Sequence, residues 1–242
     1  MITSRISIVI PAYNEENTIS SLLDRIVKTD LPYEKEIIVT DDGSTDSTVD
    51  KVNEWYSKIP TSSELNLILL NVEHKGKGSA VRHGIECSTG DIVLIQDADL
   101  EYTPSDYKHC IEPFIVNDAK VVYGSRELLK TNKQSSFLFH MGGLIVTYWI
   151  NLLFGSKLTD EPTCYKLFKG SLIRSVPFIQ NGFGWEPEIT AKMLRLGYEI
   201  IEVPIHYSPR NRAEGKKIRW TDGIIALLTA LYWRFKSFKQ RI

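Results

Sequence analysis

Short runs of apolar, β-branched residues punctuate the first half of the chain: Ile6 to Ile10, Glu36 to Thr40, Leu65 to Leu70, Ile92 to Ile95 and Lys120 to Tyr123. Each is apolar almost throughout, the pattern of strands covered on both faces. Between them the period changes to that of helices. Ile19, Leu22, Leu23, Ile26 and Val27 recur at helical spacing behind Asn14 or Asn17 as a cap, and Val49, Val52 and Trp55 repeat the pattern more weakly. Strand-helix alternation predicts a mainly parallel α/β sheet flanked by helices, with right-handed crossovers. Ligands of such sheets collect at the carboxyl ends of the strands. The loop PAYNEE, straight after the first strand, is therefore a candidate binding loop.

After Arg126 the pattern shifts. A polar stretch, Glu127 to Ser136, leads into an apolar helix from Phe137 to Phe154, a strand-like TCYKLF, a helix around Pro187 to Leu196 and a strand from Glu199 to Ile205. No Gly-, Ser- or Pro-rich linker divides the chain and no repeat is evident, so residues 1–242 read as one domain. Phe137 to Phe154 approaches the ~20 apolar residues that span a bilayer. Because it contains His140, Thr147 and Asn151, it reads as a buried or interfacial helix.

Composition adds two constraints. With 43% apolar and 24% charged residues, 242 residues suffice for a full core. The net charge of −1 conceals a surplus of seven positive charges from Arg210 to Ile242 over a body at −8. A basic tail calls for anionic partners, and no nucleic-acid motif is present. Cys87, Cys110 and Cys164 are odd in number and widely spaced, which fits reduced thiols in a cytoplasmic protein rather than a disulfide frame or zinc site. No secretory leader pattern opens the sequence.

Candidate chemistry lies at the strand ends. TDDGSTDST, Thr40 to Thr48, offers carboxylates for a sugar or base, or equally an Asx turn capping the next helix. QDADLEY carries Asp97 and Asp99 around Ala98, with Glu101 two residues on. In extended chain these three carboxylates converge, and a hard cation such as Mg²⁺ or Mn²⁺ relieves their repulsion while leaving room for phosphate oxygens. HKGKGSAVRHG, His74 to Gly84, resembles a phosphate-cradling loop without P-loop spacing, and solvated lysines before a helix explain it nearly as well. Arg210, Arg212, Lys216, Lys217 and Arg219 form a basic run that, opposite the acidic triplet, suits a diphosphate; a solvated surface is the plainer account.

PAYNEE, DDGSTD, GKGSAVRHG, DADLEY, YGSR, TDEPTCYKLF, FGWEPEI and EVPIHYSPRNRAEGKKI, in this order, resemble glycosyltransferase family 2, in its branch of polyprenyl-phosphate (dolichol-phosphate) mannose and glucose synthases. The likeness runs from Ser7 to about Gly223. It implies a GT-A fold with a Rossmann-like sheet: a nucleotide-sugar half, 1–126, joined without a break to an acceptor half, 127–223, and a basic amphipathic helix at 224–242. It implies transfer of a hexose from GDP-mannose or UDP-glucose to a lipid phosphate, with inversion and a divalent metal. Pro11, Tyr13 and Glu15 would hold the nucleoside, joined by Asp42 and Ala98; Asp97, Asp99 and Glu101 would form the metal site, Glu101 standing where many relatives have Gln. Arg126, Arg210 and Lys216 match basic residues near the diphosphate and the acceptor phosphate. Where relatives carry an Arg and, four residues on, a Ser, this chain has Ser136 and His140.

A lipid monophosphate, with a second pKa of ~6, attacks without a protein base. A hydroxyl acceptor would need one, and Glu186 or Glu188 in WEPE are then the candidates, although acids also favour a helix amino terminus. A nucleotide-sugar-binding partner subunit without turnover is a third reading. The stripe Ile224, Leu228, Leu231, Phe235 and Phe238, with Trp233 and the basic Arg234, Lys236, Lys239 and Arg241, suits peripheral contact with an anionic membrane on its cytoplasmic face, or equally a terminal helix packed on the body. A membrane-anchoring partner or homo-oligomer is compatible with either.

Overall fold

Ile6, Ile8, Val9 and Ile10 are all fully buried, and the strand they form, β1 (Arg5–Ala12), runs through the middle of the molecule. The computed structural model describes residues 5–60, 65–133, 135–210 and 219–241. In chain order follow α1 (Ile19–Lys28), β2 (Glu34–Asp41), α2 (Thr48–Ser57), β3 (Asn66–Asn71), α3 (Lys77–Cys87), β4 (Ile92–Ile95), α4 (Tyr107–Val116), β5 (Val121–Ser125), α5 (Phe137–Phe154), β6 (Lys166–Lys169), α6 (Gly170–Ser175), α7 (Trp185–Arg195), β7 (Ile200–Pro204) and α8 (Trp220–Phe235). The described residues form one seven-stranded sheet in the order β3-β2-β1-β4-β6-β5-β7. All pairs are parallel except those of β6, which runs antiparallel between β4 and β5.

The strands expected from the apolar runs are all present. β1, β2, β4 and β5 are covered on both faces, each buried Val or Ile contributing about 1.5–3 kcal/mol. β3 departs from the expectation: it is the sheet edge and only half-buried. α3 packs tightly on β1 and β2 because Gly84 lacks a side chain; a Cβ there would lie 2.4 Å from Val9 Cγ1.

Three local expectations are corrected. Neither Asn14 nor Asn17 caps α1: Thr18 holds the cap position, and Asn14, at a left-handed φ of 50°, accepts the Thr45 N–H instead. Of the two readings of α5, buried or interfacial, burial is the one corrected: only Val146, Thr147 and Ile150 are enclosed while Leu138, Ile145, Tyr148 and Leu152 face outward. By length and composition it could cross a membrane. α8 packs beside it, with Trp149 Nε1 donating to the Leu227 carbonyl at 3.1 Å. The stripe on α8 holds for Ile224, Leu228, Leu231 and Phe235, all exposed, but Phe238 lies beyond the helix end and turns back against Trp233, which is buried. Arg241 then ties the tail to the body through the Ser175 carbonyl.

Candidate active site

Three parallel strands, β1, β2 and β4, end along one rim, and the loops leaving them close around a cleft of about 270 Å³. From β1 come Pro11, Tyr13 and Glu15. Tyr13 stacks on His74, ring centroids 4.2 Å apart and planes 19° from parallel. His74 is held in place by Asp42, its Nδ1 lying 2.8 Å from Asp42 Oδ2. The same carboxylate accepts the N–H groups of Lys75 (3.0 Å) and Gly76 (2.8 Å). Asp42, expected to touch the donor, thus shapes the turn that enters α3. Gly76 takes φ 112°, and a Cβ there would meet the Asn181 carbonyl at 2.7 Å, so the turn requires glycine.

The acidic loop after β4 is arranged differently from the expectation. Residues 96–101 leave the strand, so side-chain alternation no longer gathers the three carboxylates, and among the described residues no three His, Cys, Asp or Glu side chains converge on one point. Each acid instead faces a cation. Asp97 lies 2.8 Å from Lys77 Nζ, which also reaches Glu186 at 2.9 Å. Asp99 lies 2.7 Å from Arg210 Nη2, whose guanidinium also bonds Glu15 at 3.1 and 3.2 Å. Glu101 accepts the Arg210 backbone N–H at 2.8 Å. Ala98, between the acids, is buried in the hydrophobic core and does not line the cleft.

The electrostatics follow from burial and pairing. Burial pushes the Asp97 carboxyl up, but Lys77 outweighs it and holds the group below its ordinary value; the Lys77 ammonium rises well above its own, against the cost of burial. Asp99 is pushed up to about 7, first by burial and then by Asp97, against the pull of Arg210. Among the described residues Arg210 Nε, which is buried, has no hydrogen-bond partner and lies 3.8 Å from Glu101. The guanidinium therefore leaves one of its donors unsatisfied within the acidic cluster. Asp99 and Glu101 supply two carboxylates, the number with which Mg²⁺ is commonly held when phosphate oxygens and waters complete its shell.

A second pocket, of about 230 Å³, is lined by Tyr207, three residues before the Arg210 that lines the cleft. Arg126 lies here rather than in the cleft. Its Nε and backbone N–H donate to Asp160 Oδ2 at 2.7 and 2.9 Å, and its Nη2 to Oδ1 at 2.6 Å. Burial opposes both charges, yet the pairing keeps the arginine raised and the aspartate lowered. His140 lines the same pocket, its Nδ1 3.4 Å from Glu127, whereas Ser136 sits exposed at the cap of α5. Lys216, with Arg212 and Lys217, falls outside the described residues.

The two acids of WEPE part company. Glu186 faces the cleft through Lys77. Glu188 is fully buried, accepts the N–H groups of Ile179 and Gln180, and lies 2.5 Å from Lys192 Nζ, so no substrate reaches it. Sequence reasoning passed over Lys77, His74, Phe183 and Asp160. The first two sat in the loop read as phosphate-cradling, and nothing in FGWEPEI marked Phe183 for the cleft wall.

The family model described as "Glycosyl transferase family 2" matches residues 7–174. A dolichyl-phosphate beta-glucosyltransferase of Dictyostelium discoideum is 32% identical over 221 residues, covering 84% of this chain and 66% of that protein. A dolichol-phosphate mannosyltransferase of Pyrococcus furiosus is 29% identical over 216 residues, covering 88% of this chain and 59% of that protein. The chain thus spans about three fifths to two thirds of the length of these relatives. Among solved structures, glucosyl-3-phosphoglycerate synthase of Mycobacterium tuberculosis with Mn²⁺, uridine-diphosphate and phosphoglyceric acid superposes with a TM-score of 0.72 at 22% identity, over 97% of this chain and 80% of that one.

Proposed function

Because the chain belongs to glycosyl transferase family 2 and has the GT-A fold, we propose that it moves a hexose, mannose or glucose, from a nucleotide sugar to the phosphate of a polyprenyl lipid, with inversion. The observation that carries this reading is a pair of pockets lined from one short segment, Tyr207 on one and Arg210 on the other. One is walled by carboxylates and the cations Lys77 and Arg210; the other carries Arg126, Lys130 and Lys133 and is lined in part by α5, a helix that elsewhere exposes apolar residues. A donor diphosphate in the first sets its anomeric carbon toward a phosphate in the second.

Pro11, Tyr13 and His74 would cover the nucleoside, with Asp42 fixing His74 and Glu15 fixing Arg210. Asp99 and Glu101 would hold a Mg²⁺ or Mn²⁺ ion, which neutralises the leaving diphosphate when bound. Arg210, released from Asp99, and Lys77 would stabilise the same developing charge, as preorganised donors do. The acceptor phosphate supplies its own nucleophilic oxygen, so the chain needs no general base. The exposed apolar residues of α5 and α8 would rest on the cytoplasmic face of a membrane and bring the acceptor within reach.

A screen of GDP-mannose, UDP-glucose and UDP-N-acetylglucosamine with Mg²⁺ or Mn²⁺, against a short polyprenyl phosphate and a pool of sugar hydroxyls, tests the proposal by mass spectrometry. One donor yielding a lipid-phosphate product is expected. Product only in the hydroxyl pool would overturn the acceptor assignment.

A further inference from the structure

The pocket beside α5 has a division of surface that the donor cleft lacks. Among the residues that line it, Arg126, Lys130 and Lys133 are cationic. Arg126 is already claimed by Asp160 and by the Pro162 carbonyl at 3.2 Å, so its charge is compensated within the protein. Glu127 is placed against His140. Lys130 and Lys133 are exposed, and among the described residues neither makes an ion pair. Two uncompensated ammonium groups thus stand at the rim of a cavity whose internal charges are otherwise matched.

The lining also has an apolar part, Phe139, Gly143 and Leu144 from the first half of α5, and the same helix exposes Phe137, Leu138 and Met141. Gly143 lets the helix lie close to the Pro162 ring, since a Cβ there would be 3.4 Å from Pro162 Cγ. A cavity of about 230 Å³ accommodates a compact anion and the first carbons of a chain, with the remainder of that chain running out along the exposed helix.

A phosphate monoester carries about −1.5 to −2 charges near neutral pH, which two free lysines match, and bonds between ionised partners are roughly twice as strong as neutral ones. We infer that Lys130 and Lys133, aided by His140, bind the acceptor phosphate, and that the Phe139, Gly143 and Leu144 wall of α5 takes the start of its apolar chain. The inference rests on the lipid-phosphate reading above. It moves the phosphate contacts from Arg126, which the family resemblance had suggested, to two lysines that no motif marks; Arg126 and Asp160 become the rigid floor beneath them.

The test is equilibrium binding of farnesyl phosphate, with inorganic phosphate and farnesol as separate arms and GDP or UDP binding as the control. The double variant Lys130→Ala/Lys133→Ala should weaken farnesyl phosphate about tenfold to a hundredfold while leaving nucleotide affinity and thermal stability unchanged. Lys130→Arg/Lys133→Arg should restore most of the loss. Wild-type affinity in the Ala pair would overturn the inference while leaving the acceptor class intact. Inorganic phosphate binding as tightly as farnesyl phosphate would also overturn it, by making this a site for the free ion. No farnesyl phosphate binding by a wild-type protein that still binds nucleotide would remove the acceptor class itself.

Discussion

Arg210 and Asp99, 111 residues apart in sequence, meet at 2.7 Å, guanidinium to carboxylate, in the middle of the donor cleft. The cation completing the acidic loop is thus supplied by the protein from its own later segment. On the proposed metal site, a divalent ion entering between Asp99 and Glu101 would have to displace it. Arg210→Ala should therefore tighten Mn²⁺ binding in the absence of nucleotide, by about tenfold as read by electron paramagnetic resonance, because a competing charge is gone. Transfer should nevertheless slow by about a hundredfold, since one donor to the leaving diphosphate is lost. Unchanged Mn²⁺ affinity would show that the guanidinium does not compete.

Asp99 sits at about 7 in the folded protein, pushed there by burial and by Asp97. A carboxyl raised on folding lends stability that is complete below its unfolded value near 3.9 and is lost as the pH climbs through 7. Asp99→Asn removes that titration. The variant should equal the wild type in stability near pH 4 and exceed it near pH 8, the gap opening by at most about 1.4 kcal/mol per pH unit. It should also lose transfer. Parallel stability profiles from denaturant melts would assign the titration to another group.

Glu188 and Lys192 form a buried ion pair one helical turn apart on α7, with the carboxylate also anchoring the backbone at Ile179 and Gln180. Glu188→Gln should cost about 3 kcal/mol, as breaking a buried pair from one side does. Turnover per folded molecule should not change. A fall in turnover at full stability would restore Glu188 as a reacting group.

Leu138 on α5 and Leu228 on α8 are 81% and 61% exposed, so charging them costs the fold little. Leu138→Asp/Leu228→Asp should reduce cosedimentation with anionic vesicles about tenfold, while melting temperature and nucleotide affinity stay at wild-type values. Undiminished cosedimentation would place the membrane contact on another surface.

The sheet was legible because its strands carry apolar runs rich in Ile and Val, and α5 because its apolar run from Phe137 to Phe154 follows a polar stretch. The acidic loop was legible as a site but not as a geometry. Alternation holds only while the chain is extended, and β4 ends at Ile95, before the first Asp. The choice between a buried and an interfacial α5 was not legible, because apolar character says that a residue avoids water, not whether protein or something else covers it. The partners of Asp97 and Arg126 were invisible for a different reason. Lys77 and Asp160 reach them through tertiary contact, and local sequence carries no signal for a pairing made by the fold.

β6 lies between β4 and β5, yet it is the last of the three to be synthesised. As the chain leaves the ribosome, β4 and β5 each emerge with an edge that has no partner until Lys166 to Lys169 follow. An open edge of apolar strand is a template for wrong pairing. The burden of holding the nascent chain soluble therefore falls on that interval, which also brings out the apolar helix α5.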